Sequence, residues 1–321
     1  MIFFKKPRPL VTIILLCYNH QKFVEEAVRG VLAQTYSSLE IIIFDDCSPD
    51  ATAAIIERTL AEQPRRADVR FVRNPKNMTA NTVVRMGLSM ARGDFIFVSH
   101  GDDVMLPEMV GKMTDVWLAE KVSLVTANAV YIDENSQLLN RTLHDPDQPV
   151  DDSFETLARN GTNACCFGPA IGFERAIYEK FGWVPRYLRA YDIMYPFYAY
   201  LLKGARFVRT PLLKYRVHAS NMSLSLAAEK ADSLEKAAID ERMYLVHLAH
   251  AVLMEEELNR MLVEAPARYI GVAKTILPLL SIQMAEMSKK LVRISRVSGA
   301  LAAGLPLDRP HGPELPNCAS E

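Results

Sequence analysis

The sequence predicts a doubly wound α/β sheet followed by a C-terminal helical extension, and three observations carry that reading. Between Val11 and Ala127, apolar runs alternate four times with stretches of helical periodicity, the rhythm of a parallel sheet covered by helices on both faces. Two of those runs, 40–46 and 95–103, end in adjacent carboxylates, so charge is delivered to the carboxyl edge of the sheet, where open α/β folds bind ligands. From about Leu224 the composition turns to helix formers.

Each element has a local justification. Val11 to Leu16 is continuously apolar, as a strand buried on both faces must be, and stops at Cys17-Tyr18-Asn19-His20. Val24, Ala27, Val28, Val31 and Leu32 recur at helical spacing behind it. Glu40 to Asp46 repeats the design; Ser48 is read as an N-cap and Pro49 as the first residue of a helix through Ile55, Ile56 and Leu60. Val69 to Val72 is a short third strand, and the stripe Ala80, Val83, Val84, Gly87, Leu88, Ala91 forms a helix ending at Gly93. Phe95 to Val98 follows as the central strand, closed by His100-Gly101-Asp102-Asp103, and Pro107 opens the next helix before the strand-like Val122 to Ala127. The rhythm then breaks: 135–152 reads as loop, Cys165 to Phe173 as irregular strand, Glu174 to Phe181 and Tyr191 to Lys203 as helices, and Leu213 to His218 as a final strand. In the extension, 229–262 and 268–301 read as helical, the second interrupted by Pro278. Its Met287, Leu291, Ile294 and Leu301 form an apolar seam beside Lys289, Lys290, Arg293 and Arg296, a pattern that suits an anionic membrane surface, or packing on the main domain or on another subunit.

Composition narrows the function class. With 37 Lys plus Arg against 38 Asp plus Glu in 321 residues, no global field draws the chain to nucleic acid, so an anionic ligand must be held locally. Five cysteines without Cys-x-x-Cys spacing fit a reducing compartment, and the expectation is a cytoplasmic protein, at the inner face of the membrane if the basic helix binds there. The first residues lack the apolar core of a signal peptide, and no segment is expected to span a bilayer. Two like charges side by side at Asp102 and Asp103 call for a compensating cation, and a hard divalent metal bridging to a phosphate supplies one.

Val11 to Asn19, Leu32-Ala33-Gln34-Thr35-Tyr36, 40–50 and Gly101-Asp102-Asp103 with Pro107 stand in an order and spacing that resembles glycosyltransferase family 2 over roughly Leu10 to Ser223. The resemblance implies a GT-A fold: a Rossmann-like half binding a nucleotide-sugar donor, within 10–132, and an acceptor half, 133–223; composition adds a helical extension, 224–305, and a proline-rich, polar tail, 306–321, expected to be disordered. It implies a hexosyltransferase-type activity, usually inverting, with a UDP- or dTDP-sugar as donor and a glycan or lipid-linked acceptor of cell-surface polysaccharide synthesis.

Carried over residue by residue, the family pattern places Tyr18 and Asn19 against the nucleoside and Asp46 on the imide of the base. Asp102 and Asp103 match the motif holding Mg2+ or Mn2+ on the diphosphate, with Asp103 the first choice as direct ligand. Asp192 takes the position of the general base. Arg216 and His218, in Tyr215-Arg216-Val217-His218, reach for the diphosphate or the metal. The chain departs from the family at three places: His100 stands where the motif often has its first Asp, Tyr191 precedes Asp192 in place of an acid, and Met78 and Arg85 replace a frequent Gly and Asn. His100 is open between a ligand and a structural role. A non-catalytic protein keeping the fold for nucleotide-sugar binding or scaffolding is the alternative.

Overall fold

The computed structural model describes residues 7–62, 68–182, 184, 191–219, 221 and 233–302. Outside them lie Met222 and Ser223 of the closing segment, Arg189-Ala190 before Tyr191, and the tail from 306. In chain order the elements are β1 (Val11–Cys17), α1 (Val24–Leu32), β2 (Leu39–Asp45), α2 (Thr52–Glu62), β3 (Asp68–Arg73), α3 (Ala80–Met90), β4 (Phe95–His100), β5 (Val104–Met105) and α4 (Met109–Glu120). There follow β6 (Leu124–Ile132), β7 (Leu138–Thr142), α5 (Phe154–Asn160), β8 (Ile171–Glu174), α6 (Arg175–Phe181), α7 (Tyr191–Leu202), β9 (Ala205–Arg216), α8 (Ser233–Glu264) and α9 (Pro266–Ala302).

One mixed sheet runs β3-β2-β1-β4-β8-β6-β9-β5, with β7 hairpinned on β6. The first four strands are parallel, and β8 enters antiparallel between β4 and β6. The chain moves outward from β1 to β2 and β3, then returns to lay β4 on the other side of β1. Their carboxyl ends therefore diverge at a topological switch point, which opens a crevice. Every residue of β1 and β2 is buried, which is why both read as apolar runs, Thr12 and Glu40 near their amino ends excepted. Alternation divides the core: Ile13, Leu15, Ile41, Ile43 and Phe97 pack under α1 and α4, while Ile14, Ile42, Ile96 and Val98 pack under α3 and α7.

Several local expectations are corrected. α2 begins at Thr52, because Asp50 Oδ1 accepts from Thr52 N (3.0 Å) and Ser48 Oγ instead accepts from Asn19 N (3.0 Å), joining the loops after β1 and β2. The 135–152 loop contains strand β7, whose exposed edge carries no alternation. β9 starts at Ala205, well before Leu213. α9 continues through Pro278, whose side is exposed. Within it, Pro266–Val292 is long and apolar enough to cross a membrane by length and composition only, and Tyr269, Ala273, Ile276, Leu280 and Met287 on it are buried against the protein.

The amino end of the parallel strands is locked by one carboxylate. Glu40 is fully buried and takes Thr12 Oγ1 (2.6 Å), Arg70 (2.6 Å), and the backbone N (2.8 Å) and Nε (2.7 Å) of Arg92. Burial pushes its carboxyl up, but Thr12, Arg92 and Arg70 outweigh that, and its pKa falls below the ordinary value. A lowered pKa means that the stabilisation is complete above the unfolded glutamate value of about 4.3 and is lost as pH falls through the folded one. Glu40→Ala should cost about 1–3 kcal/mol at pH 7 in urea unfolding, since both arginines can turn to solvent but Thr12 cannot. The gap between parent and variant should begin to narrow as pH falls below about 4.

Candidate active site

Three strand ends build the site. β1 leaves the sheet at Cys17, and Asn19 (φ 59°) turns the chain sharply, leaving the Tyr18 ring 45% exposed at the crevice. β2 ends at Asp45, and Asp46 N donates to Cys17 O (2.9 Å), which sets Asp46 beside Tyr18. Asp46 is buried, and its Oδ1 accepts from Asn74 Nδ2 (2.8 Å) and Met78 N (2.8 Å). Sequence reasoning missed Asn74, although it follows β3 as Asp46 follows β2. A glycine-like conformation does occur here, at Thr79 (φ 70°, ψ 148°), one residue past Met78.

β4 delivers the second group. Gly101 leaves no room for a side chain: a Cβ there would lie 2.6 Å from His20 Nδ1 and 2.9 Å from Cys17 Sγ. This close approach puts His20 Nε2 3.8 Å from Asp102 Oδ2, while His218, beyond β9, brings Nε2 to 3.2 Å from the same oxygen. Burial pushes Asp102 up, but the His218 bond and the neighbouring imidazoles of His20, His100 and His218 prevail and bring it to about 2. Burial lowers the His20 and His100 imidazoles. His100 Nδ1 lies 4.0 Å from Asp103 Oδ2, and its imidazole feels the charges of Asp102 and Asp192.

Asp103, the first choice from the sequence as direct metal ligand, turns inward. It is 2% exposed, its Oδ1 accepts from Arg216 N (2.9 Å), and burial with the Asp102 charge pushes it well above the usual carboxylate range. The adjacent acids thus divide, one ionised toward the crevice and one holding the backbone. Arg216 is likewise engaged within the protein. Its fully buried guanidinium donates to Asp102 O (2.9 Å), Asp133 O (3.1 Å), Ser136 Oγ (2.9 Å) and Glu26 Oε2 (3.1 Å), with Phe23 packed at 4.8 Å.

Asp102 Oδ2 and His218 Nε2 offer an oxygen and an imidazole nitrogen at one point, a donor set that fits a divalent ion completed by diphosphate oxygens and water. Among the described residues no three His, Cys, Asp or Glu side chains are arranged to hold an ion unaided.

Asp192 sits in the first turn of α7, where unpaired helix N–H groups favour an anion, and Gly168 N donates to its Oδ2 (3.3 Å). Tyr191, in place of an acid, donates through its hydroxyl to Gly168 O (3.2 Å), bracing the same loop. α8 and α9 pack against this end, the docking on the main domain that the sequence left open for the basic helix. His247 feels the Asp192 charge, and Gln283 donates to Ala158 O (2.9 Å) and accepts from Gly161 N (3.1 Å).

Comparison with known proteins defines the class. The fold is that of GT-A glycosyltransferases: TarS of S. aureus, solved with UDP-GlcNAc, superposes at a TM-score of 0.58 with 13% identity over 92% of each chain. The mannosyltransferase PcManGT of Pyrobaculum calidifontis, solved with GDP-Man and Mn2+, gives 0.53 with 15% identity over 91% of this chain and 88% of that one. The sequence model "Glycosyl transferase family 2" matches residues 12–182, more than half of the chain. The chain belongs to that family and is a glycosyltransferase. A glycosyltransferase of Nostoc sp. PCC 7120 is 26% identical over 231 residues, 71% of this chain and 70% of the relative. The colanic acid biosynthesis glycosyl transferase WcaA of Escherichia coli K12 is 31% identical over 129 residues, 40% of this chain and 44% of the relative.

The Thr79 conformation is essentially restricted to glycine and costs a β-branched residue of order 1–3 kcal/mol. Thr79→Gly is expected to raise stability by about 1 kcal/mol after glycine's own entropic cost, read as a higher urea midpoint at unchanged m-value.

Proposed function

We propose that the protein transfers a sugar from a UDP- or dTDP-sugar to a hydroxyl of a glycan or lipid-linked acceptor in cell-surface polysaccharide synthesis, with inversion. The observation that carries this is the placement of Asp46 and Asp102 just past the carboxyl ends of β2 and β4, the strands on either side of β1, with Asp192 near enough for its charge to act on His100. Tyr18 and Asn19 line the nucleoside side, and an exposed aromatic face supplies apolar area there. Asp102 and His218 would hold the metal, Mn2+ ahead of Mg2+ because imidazole suits the softer ion; Asp103 supports them from behind. When bound, the ion neutralises charge growing on the departing diphosphate. Asp192, kept by its helix N-terminus and Gly168 N, accepts the acceptor's hydroxyl proton. The donor half is 10–132 and the acceptor half 133–223, completed by helices from 224 on. The polysaccharide context rests on relatives such as WcaA.

The test separates the two carboxylates. Asp102→Asn should abolish the Mn2+-dependent part of UDP binding in calorimetry. Asp192→Asn should leave that binding within about twofold while turnover of the donor falls about 10²- to 10⁴-fold. Loss of binding in both, or in neither, would refute the division of roles.

The membrane side of the proposal rests on α9, where Ile270, Ile282 and Val292 are exposed beside the exposed Lys274, Lys289 and Lys290. Co-sedimentation with vesicles should rise with their phosphatidylglycerol content and weaken in salt. A salt-insensitive dimer that ignores vesicles would assign the helices to a second copy instead.

A further inference from the structure

We propose that Asn74 sets the base specificity of the donor pocket by filling one of the two oxygens of Asp46, so that the pocket takes an imide base, uracil or thymine, and turns away guanine. The inference rests on the donor-site reading above and adds to it a residue and a chemical reason.

A carboxylate oxygen has two lone pairs to offer. On Asp46 both lone pairs of Oδ1 are engaged, one by Asn74 Nδ2 at 2.8 Å and one by Met78 N at 2.8 Å. Oδ2 receives no hydrogen bond from the described residues. Asn74 itself is 6% exposed and cannot turn away without breaking cover, because its backbone N is fastened to Asp45 O (2.9 Å). Met78 N is fixed by the following turn, where Asn77 Oδ1 accepts from Thr79 N (3.1 Å).

Asp46 therefore meets a base with one oxygen. Uracil and thymine present a single N–H flanked by carbonyls, which that oxygen satisfies. Guanine presents a ring N–H and an amino group side by side, a pair that asks for both oxygens of a carboxylate. With Oδ1 taken, its amino group is left unpaired at a buried position. Cytosine presents a ring nitrogen that accepts, opposite an oxygen that also accepts.

The full-length protein is titrated calorimetrically with UDP, dTDP, GDP and CDP, each with Mn2+, alongside Asn74→Ala. The parent should prefer UDP and dTDP over GDP by about 10- to 100-fold, the scale of one unpaired buried donor. In Asn74→Ala the UDP-to-GDP ratio should fall at least about fivefold, as Oδ1 becomes available. If Asn74→Ala does not fold, Asn74→Ser, whose shorter side chain withdraws the donor, takes its place. A parent that binds GDP as well as UDP, or a ratio unmoved by the substitution, overturns the inference while the donor site stands. A parent that binds none of the four overturns the donor site and the inference together.

Discussion

A guanidinium with no exposure at all must find partners for its charge, and the way Arg216 does so holds the site in one piece. Removing such a group from water costs several kcal/mol unless it is paired and hydrogen-bonded. Its partners are Glu26 on α1, Asp102 O at the end of β4, and Asp133 O and Ser136 Oγ in the β6–β7 turn. The first two lie on α1 and just past β4, beside the parallel strands, the others in the turn between β6 and β7. One side chain therefore ties the parallel part of the sheet to the β6–β7 hairpin, and Ser136 Oγ closes the ring by donating to Glu26 Oε1 (2.6 Å). The backbone follows: Arg216 N holds Asp103, and Asn221 bridges Arg216 O (3.0 Å) and His218 N (2.5 Å). His218 reaches Asp102 because the two residues before it are anchored.

That arrangement also explains how two adjacent acids coexist. Side by side in a crevice, Asp102 and Asp103 would repel each other if both were ionised. Opposite environments resolve the conflict. Asp102 gathers three imidazoles and stays charged, whereas Asp103 is enclosed, raised by burial and by its neighbour, and bonded to a backbone N–H. The sequence motif names both residues alike; the turn at Gly101 decides which of them faces out.

Legibility in the sequence followed the strength of each physical signal. β1, β2 and β4 were plain because burial on both faces keeps their centres apolar, with Thr12 and Glu40 confined to the amino end, and the terminal acids marked the ligand edge. β5 has two residues and no period to read, and β7 lies on an exposed edge where Leu138 and Leu139 stand among polar neighbours. The first half of β9 is hidden by Arg206, Arg209 and Pro211, which its pairing with β6 tolerates through register shifts. At the site, a motif identifies residue types but not their surroundings. An arginine in the closing segment looks the same whether it meets a diphosphate or a buried glutamate, so the role of Arg216 could not be read from its position. Asn74 and Thr79 carried no motif, and only the recurrence of polar residues at successive strand ends pointed toward them.

The boundary near 224, so clear in composition, is not a boundary of the core. Leu253, Met254, Leu258, Met261, Ile276 and Leu280 from α8 and α9 share one apolar cluster with Tyr195, Phe197 and Leu201 of α7 and with Ile14 and Ile96 of the sheet. A helix former composition arises because long helices need it, not because the segment folds apart. The hairpin presses Gln283 and His247 on Gly161, whose φ of +76° ends α5. From that turn the chain runs through Asn163, which donates to Ser153 O (2.7 Å) and Tyr200 Oη (2.8 Å), to Gly168 and so to Asp192. The loop that supports Asp192 is thus held from one side by α7 and from the other by the helices that follow the sheet, and the surroundings of that carboxylate are complete only when those helices are in place.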